Sequence, residues 1–229
     1  MAIVSKTTFD FLKKLKKHND RDWFNEHKKL YQASHEEMIE LAADLFMQIS
    51  RFDELEEVSP KKALFRIYRD VRFSKNKDPY KTNRSGYFRR KGAERRGSYY
   101  FSIEPGNSFI GGGFYQPESA DLNHIRQQID LDASPLRKVL AEKKFKSYYR
   151  EMLGEQLKTA PRDYDKDHPE IDLLRYKGFY FMKPFTDAEV MSIDFEKKAA
   201  EGFKLLLPFN EVMTEYLTTD LNGAPLLET

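Results

Sequence analysis

The sequence predicts an α+β fold in which a mainly antiparallel sheet is flanked by N-terminal and C-terminal helices. Apolar residues recur at helical spacing near both ends of the chain, whereas the middle alternates apolar and polar residues between turn-forming segments. Because helices and strands follow one another in blocks, this pattern favours α+β over a doubly wound parallel sheet. We expect one domain over residues 1–229, with a helical part at 8–51, a sheet-containing core at 61–185 and C-terminal helices at 187–219.

Three helices are predicted in the first fifty residues. The second is expected to begin at a cap, either Asn19 or Asp20, and to extend to Tyr31. The third has the clearest pattern, because its apolar residues form one stripe on a helical surface: Met38, Leu41, Ala42, Leu45, Phe46 and Ile49.

The middle of the chain predicts short strands. Residues 65–68 alternate as a half-buried strand does, and residues 98–103 are expected to form a hairpin with the segment that starts at Ser108. Three glycines, 111–113, are expected to end that hairpin. The mostly polar residues 73–97 are predicted to form a long surface loop, whose later part is expected to be mobile.

Further helices and one late strand complete the prediction. Ser119 or Asp121 is expected to start one helix, and Ser134 opens another. Residues 179–182 are a strand candidate. Two C-terminal helices are expected, the second beginning near Pro208, because proline suits the first helical position.

Composition excludes several classes of function. The chain has no Cys, which excludes disulfides, thiolate catalysis and Cys-based zinc sites. It has no apolar run of the length that a membrane span requires, so we expect a cytoplasmic protein without a membrane partner. The spacings typical of a zinc protease and of a phosphate-binding P-loop are also missing, and we predict neither a cofactor nor a metal site.

Charge is the most informative feature for function. Residues 61–96 contain fourteen Lys or Arg and only three carboxylates, for a net charge of +11, although the whole chain carries +2. The remainder of the chain is therefore acidic. A concentrated positive field attracts and steers anions, so the partner is expected to be anionic.

Several short stretches, spread over residues 8–217, carry a family resemblance. They are Asn19 with Trp23 and Phe24, residues 65–70, residues 72–75, Lys77 with residues 79–82, residues 111–115, Pro117, Arg126, residues 160–162, residues 168–169 and residues 172–175. Together they resemble the bacterial and fungal domain of unknown function numbered 2461. Asn76 stands where that family often has Asp, and Asp163 where it often has Gly. The resemblance implies a similar single-domain fold and no particular activity.

The candidate site residues lie mainly in the first half of the basic segment. Those expected to bind the anion supply guanidinium, ammonium or hydroxyl donors: Arg66, Arg69, Arg72, Ser74, Lys75, Lys77, Tyr80, Lys81, Thr82 and Arg126. Asp70, Glu104 and His124 are the candidate acid–base groups.

Arg69 illustrates two interpretations of the arginines. On a regular strand it shares the buried face with Ile67, where it needs a partner such as Glu104 or Asp172. The arginines then form either a structural ion-pair network or a fork that binds a carboxylate or phosphate.

The function predicted from these observations is anion recognition. The ligand is expected to be either a nucleic acid backbone or a phosphorylated or carboxylated metabolite. Two alternatives remain open: an enzyme acting on a small anionic substrate, and a protein–protein interaction module that docks through the basic segment. The sequence predicts neither a reaction nor an oligomeric state.

Overall fold

A computed structural model describes residues 3–226 of the chain. The helices are α1 (Lys6–Lys17), α2 (Arg21–Glu26), α3 (Lys28–Ile49), α4 (Pro60–Ala63), α5 (Ser119–Leu131), α6 (Ser134–Ala141), α7 (Lys143–Tyr149), α8 (Ile171–Leu174), α9 (Asp187–Val190) and α10 (Phe195–Thr218). The strands are β1 (Arg84–Arg89), β2 (Ser98–Ile103), β3 (Ser108–Phe114) and β4 (Phe179–Phe185). The strands form one antiparallel sheet in the order β1-β2-β3-β4, which confirms the predicted α+β class.

The residues group into two compact units. The first unit comprises residues 3–88, Tyr100–Ile110 and Pro184–Glu201, and the second comprises Arg89–Tyr99, Gly111–Lys183 and residues 202–226. The expectation of one domain stays a prediction.

The N-terminal helices of the first unit follow the sequence closely. The side chain of Asp20 caps α2 by accepting a hydrogen bond from the Trp23 amide at 2.9 Å, as predicted. The predicted apolar stripe of α3 is buried from Met38 to Ile49, except for the half-buried Phe46. The predicted second helix is wrong in one respect, because it ends at Glu26 and Tyr31 belongs to α3.

The predicted strand at 65–68 is an irregular extended segment instead. It is held by isolated bridges, Leu64 with Gly86 and Tyr68 with Tyr80, because the pairing shifts register between them. The segment therefore folds back on residues 79–86, and only residues 70–78 between them form a loop. We call residues 64–86 the basic arm.

The predicted loop over 73–97 is wrong, because it contains strand β1. The expected mobility of its later part stays a prediction. Arg84 and Arg90, which looked like solvated loop residues, are both buried.

In the second unit the three glycines lie inside β3 rather than at its end. A Cβ atom added at Gly111 would lie 2.5 Å from the Phe181 carbonyl oxygen, and one added at Gly112 would lie 2.5 Å from the Ser98 carbonyl oxygen. Real Cβ atoms do not approach backbone this closely, so these positions need glycine for tight packing.

The helix predictions here are correct for α5 and α6, and the late strand is β4. The predicted start of a helix at Pro208 is wrong, because Pro208 lies inside the single helix α10. Proline removes one backbone hydrogen bond. Buried Leu206 and Phe209, on either side of it, keep the apolar stripe continuous.

Candidate anion-binding site

Backbone hydrogen bonds fold the basic arm of the first unit back on itself. The Lys81 amide donates to the Ile67 carbonyl at 2.7 Å, and the Arg69 amide donates to the Pro79 carbonyl at 2.8 Å. Nearer to β1, the Phe65 amide donates to the Ser85 carbonyl at 2.9 Å. This pairing brings the early and late cations of the arm side by side.

Asn19 anchors the arm to the N-terminal helices. Its side chain accepts a hydrogen bond from the Tyr80 amide and donates one to the Tyr80 carbonyl, both at 3.0 Å. The Tyr80 ring stacks on Phe24 with centroids 4.0 Å apart, and both rings are buried. Two separate parts of the family motif thus meet to fix the position of Lys81.

Several predicted anion ligands are used inside the loop at 70–78. The Arg69 guanidinium donates to the Asp78 carbonyl at 3.1 Å and to the Ser74 hydroxyl at 3.4 Å. Lys77 Nζ donates to the Val71 carbonyl at 3.0 Å. These bonds brace the loop.

The carboxylate partners expected for Arg69 are wrong. Glu104 accepts from the Thr82 hydroxyl at 2.9 Å, and Asp172 pairs with Arg137 in the second unit. Arg69 is half-buried rather than deeply buried, and carbonyl and hydroxyl oxygens satisfy it because the arm departs from a regular strand.

The three acid–base candidates are held by different partners. Asp70 forms a two-point ion pair with Arg72, whose side-chain hydrogen bonds lower the pKa of Asp70. Glu104 accepts from Thr82, whereas His124 lies in the second unit with Nε2 2.8 Å from the Thr219 carbonyl. The structure shows no common site for them among the described residues.

Arg126, also a predicted anion ligand, lies in the second unit. Its Nε donates to the Leu174 carbonyl at 2.9 Å, and its Nη2 donates to the Tyr176 carbonyl at 3.2 Å. Burial lowers the pKa of Arg126. These contacts give it a structural role, as a clamp on α8 and the residues that follow.

Arg84 is the most unusual charged residue of the first unit. Only 1% of it is exposed, yet no carboxylate of the described residues pairs with it. Its Nε has no hydrogen-bond partner, and its guanidinium carbon lies 5.5 Å from the centre of the Tyr31 ring. Burial lowers the pKa of Arg84, because the charged form has lost its water.

Two side chains hydrogen-bond to this guanidinium: that of Tyr31, and that of His35, whose Nδ1 lies 2.7 Å from Arg84 Nη2. An arginine only donates, so His35 Nδ1 accepts and the imidazole carries its proton on Nε2. Burial first, and then the charge of Arg84, lower the pKa of His35. The neutral ring therefore leaves the Arg84 charge uncompensated.

Lys81 couples Arg84 electrostatically to a further cation, Arg66. Burial, followed by the charges of Arg66 and Arg84, lowers the pKa of Lys81. Arg66 is exposed and makes no hydrogen bond or ion pair with residues 3–226. We call Arg66, Lys81, Arg84 and His35 the Arg84 cluster.

Sequence reasoning singled out Arg66 and Lys81 but did not single out Arg84 and His35. A strand over 84–89 places Arg84, Gly86 and Phe88 on one face. Phe88 is an evident core residue, so this alternation was the signal that Arg84 is buried. His35 had no local signal, because α3 brings it to Arg84 from 49 residues away.

The chain belongs to the family described as conserved hypothetical protein DUF2461, whose model matches residues 7–211. This confirms the resemblance seen in the sequence. Comparisons with curated proteins and with solved structures find no match. No helix in the described part of the chain is long and apolar enough to cross a membrane. Within residues 3–226, no three His, Asp or Glu side chains are grouped so that they can hold a metal ion.

Proposed function

We propose that this protein recognises an anionic ligand through the Arg84 cluster. The observation that carries the proposal is the buried guanidinium of Arg84, which has no carboxylate partner and an unbonded Nε. A phosphate or carboxylate oxygen is the group that best satisfies a guanidinium.

The physical argument concerns the cost of the buried charge. Burying an ion costs several kcal/mol, and a buried arginine is ordinarily paired to offset that cost. Arg84 instead has a cation as neighbour, because the charges of Arg66 and Arg84 both act on Lys81 and help to lower its pKa. A bound anion removes the repulsion and supplies the missing acceptor, so this arrangement suits a ligand better than it suits stability.

The remaining predictions have weaker support. Neither the enzyme nor the protein-docking alternative has a comparable observation among the described residues. The cytoplasmic location and the single domain stay predictions.

Thermal denaturation with pyrophosphate, phosphate and citrate tests the proposal. A ligand at 100 times its Kd stabilises a protein by about 2.7 kcal/mol, which raises the Tm of a chain of this size by roughly 5–10 °C. We expect such a rise with at least one of these anions.

Two variants define the site. Arg84→Met keeps the volume but removes the charge, and it should abolish the rise in Tm. Arg72→Met is the matched control, because Arg72 pairs with Asp70 in the same arm, and it should retain the rise. A rise that survives Arg84→Met, or no rise with any of the three anions, contradicts the proposal.

A further inference from the structure

Four aromatic rings form a row in the first unit. Phe65 stacks on Tyr87 with centroids 5.2 Å apart, and it lies 6.2 Å from Tyr100. Tyr100 is in turn 5.7 Å from Phe109. We call these four residues the aromatic row.

The aromatic row is separate from the core. Successive strand residues point to opposite faces, so Tyr87 and Phe88 lie on opposite sides of β1, as Tyr100 and Phe101 do on β2. Phe88 and Phe101 are buried, whereas the rings of the row keep part of their surface in solvent. Phe65 is the most open of them, at 39% exposed.

Lys81 links the aromatic row to the Arg84 cluster. Its Nζ lies 5.1 Å from the centre of the Phe65 ring, a cation–π distance. The same ammonium is electrostatically coupled to Arg66 and Arg84. Phe65 and Arg66 are also neighbours in the chain. The rings therefore adjoin Lys81 and Arg66 on one surface of the first unit, whereas Arg84 is buried.

Resting on the proposed function, we propose that the anion is the backbone of a single-stranded nucleic acid whose bases stack on the aromatic row. Single-stranded nucleic acid is bound by cations that contact phosphates and by aromatic rings that stack on bases. A duplex keeps its bases stacked inside and offers them no access. A row of four rings also exceeds what one free nucleotide base covers, which favours an oligonucleotide over a metabolite.

Fluorescence anisotropy with labelled 12-nucleotide single strands, one RNA and one DNA of mixed sequence, tests this inference at low salt. Both are compared with the corresponding duplexes. The inference requires at least one single strand to bind at least tenfold more tightly than its duplex. The RNA and DNA arms show which sugar is preferred.

Aromatic variants report on stacking. Phe65→Leu should weaken single-strand binding by roughly 5- to 150-fold, the range for loss of one base–aromatic stack. Tyr100→Leu should give a similar loss. Tyr115→Leu is the matched control, because Tyr115 is an exposed aromatic residue of the second unit, and it should leave binding unchanged. Far-UV circular dichroism and Tm confirm that each variant is folded.

Salt dependence separates rings from cations. Each phosphate contact contributes a slope of about −0.7 to log affinity against log salt for single strands. Lys81→Ala should reduce the magnitude of this slope by about 0.7. Phe65→Leu should lower the affinity but leave the slope unchanged.

The outcomes distinguish the two proposals. If pyrophosphate, phosphate or citrate raises the Tm but single strands bind no better than duplexes, the nucleic acid inference is wrong and anion recognition stands. Unchanged affinity in both Phe65→Leu and Tyr100→Leu also overturns the inference. If none of the three small anions raises the Tm, the proposed function itself fails, and the nucleic acid inference that rests on it fails too.

Discussion

Arg84 and Arg90 lie six residues apart in the same basic segment, and both are buried, yet their surroundings differ. Arg90 is 2% exposed and forms an ion pair with Glu211. It also donates to the Thr214 hydroxyl at 3.0 Å and to the Arg96 carbonyl at 3.1 Å. Arg84 contacts the His35 imidazole and the ring and hydroxyl of Tyr31, and its Nε has no partner.

The difference teaches how to interpret a buried cation. Arg90 is satisfied by its own unit, so its charge contributes to the fold of that unit. Arg84 has no carboxylate partner, so its charge costs stability, and under our proposal a bound anion offsets that cost. Equal burial therefore corresponds to opposite expectations on mutation, and four predictions test them.

The largest expected effect separates these two arginines directly. Arg90→Met should lower the free energy of unfolding by about 3 kcal/mol, because it leaves buried hydrogen-bonding groups around Thr214 without a donor. Arg84→Met should lower the free energy of unfolding by less than about 1 kcal/mol, or should raise it, since replacing an uncompensated buried charge is often neutral. Urea denaturation measures both. Equal losses would contradict the comparison.

Arg126 extends the comparison to a third buried arginine. Arg126→Met should lower the free energy of unfolding by about 2 kcal/mol, because the carbonyls of Leu174 and Tyr176 lose their donor. Anion-induced stabilisation should remain. The exposed Arg162 provides the control variant, Arg162→Met, which should have no effect on stability. Loss of anion binding in Arg126→Met would place this residue in the site, against our assignment.

In the first unit, an amide rather than an arginine supports the arm that carries Lys81. Asn19→Ala should cost about 1.5 kcal/mol, because it removes both hydrogen bonds to the Tyr80 backbone. It should also weaken anion binding, since Lys81 is then held less firmly. Asn25→Ala, at an exposed position of α2, is the control. Unchanged stability in urea denaturation of Asn19→Ala would show that the arm needs no such anchor.

The smallest expected effect concerns pH. Because the pKa of His35 is lowered in the folded protein, the unfolded chain takes up the proton first as pH falls below about 6.5. The contribution of neutral His35 to stability is therefore complete above that pH and decreases below it. We expect less than about 1 kcal/mol, since solvent screens a half-buried side chain.

The difference between wild type and His35→Gln isolates this contribution, because Gln accepts a hydrogen bond from Arg84 but does not titrate. Urea denaturation between pH 5 and 8 should show a steeper loss for the wild type on the acid side. Bound pyrophosphate should reduce this difference in pH dependence between the wild type and His35→Gln, because its negative charge favours the protonated imidazole. Parallel curves would show that His35 does not sense the Arg84 charge.

Local patterns predicted much of the fold. The Asp20 cap, the apolar stripe of α3, the helix starts at Ser119 and Ser134 and the late strand are all present, because they depend on residues a few positions apart. Predictions that required long-range information were less successful. Pro208 looked like a helix start, but buried residues on both sides keep α10 continuous.

The candidate site follows the same division. Arg66 and Lys81 were predicted as anion ligands from their place in a basic, turn-rich segment. Arg69, Lys77 and Thr82 were predicted with them, but their hydrogen bonds brace the arm. The sequence shows that these donors exist, and only the folded arm shows which of them are already used.

The sequence by itself determined the fold class, the family and a concentrated positive segment, because composition and local periodicity are properties of the chain alone. Only the tertiary structure decided which cations of that segment lack partners. That outcome depends on α3 bringing His35 and Tyr31 to Arg84, and on Asn19 fixing Tyr80 beside Lys81. Partners distant in sequence determine whether a buried charge is compensated, and for this reason Arg84 and Arg90 look alike in the sequence but differ in the structure.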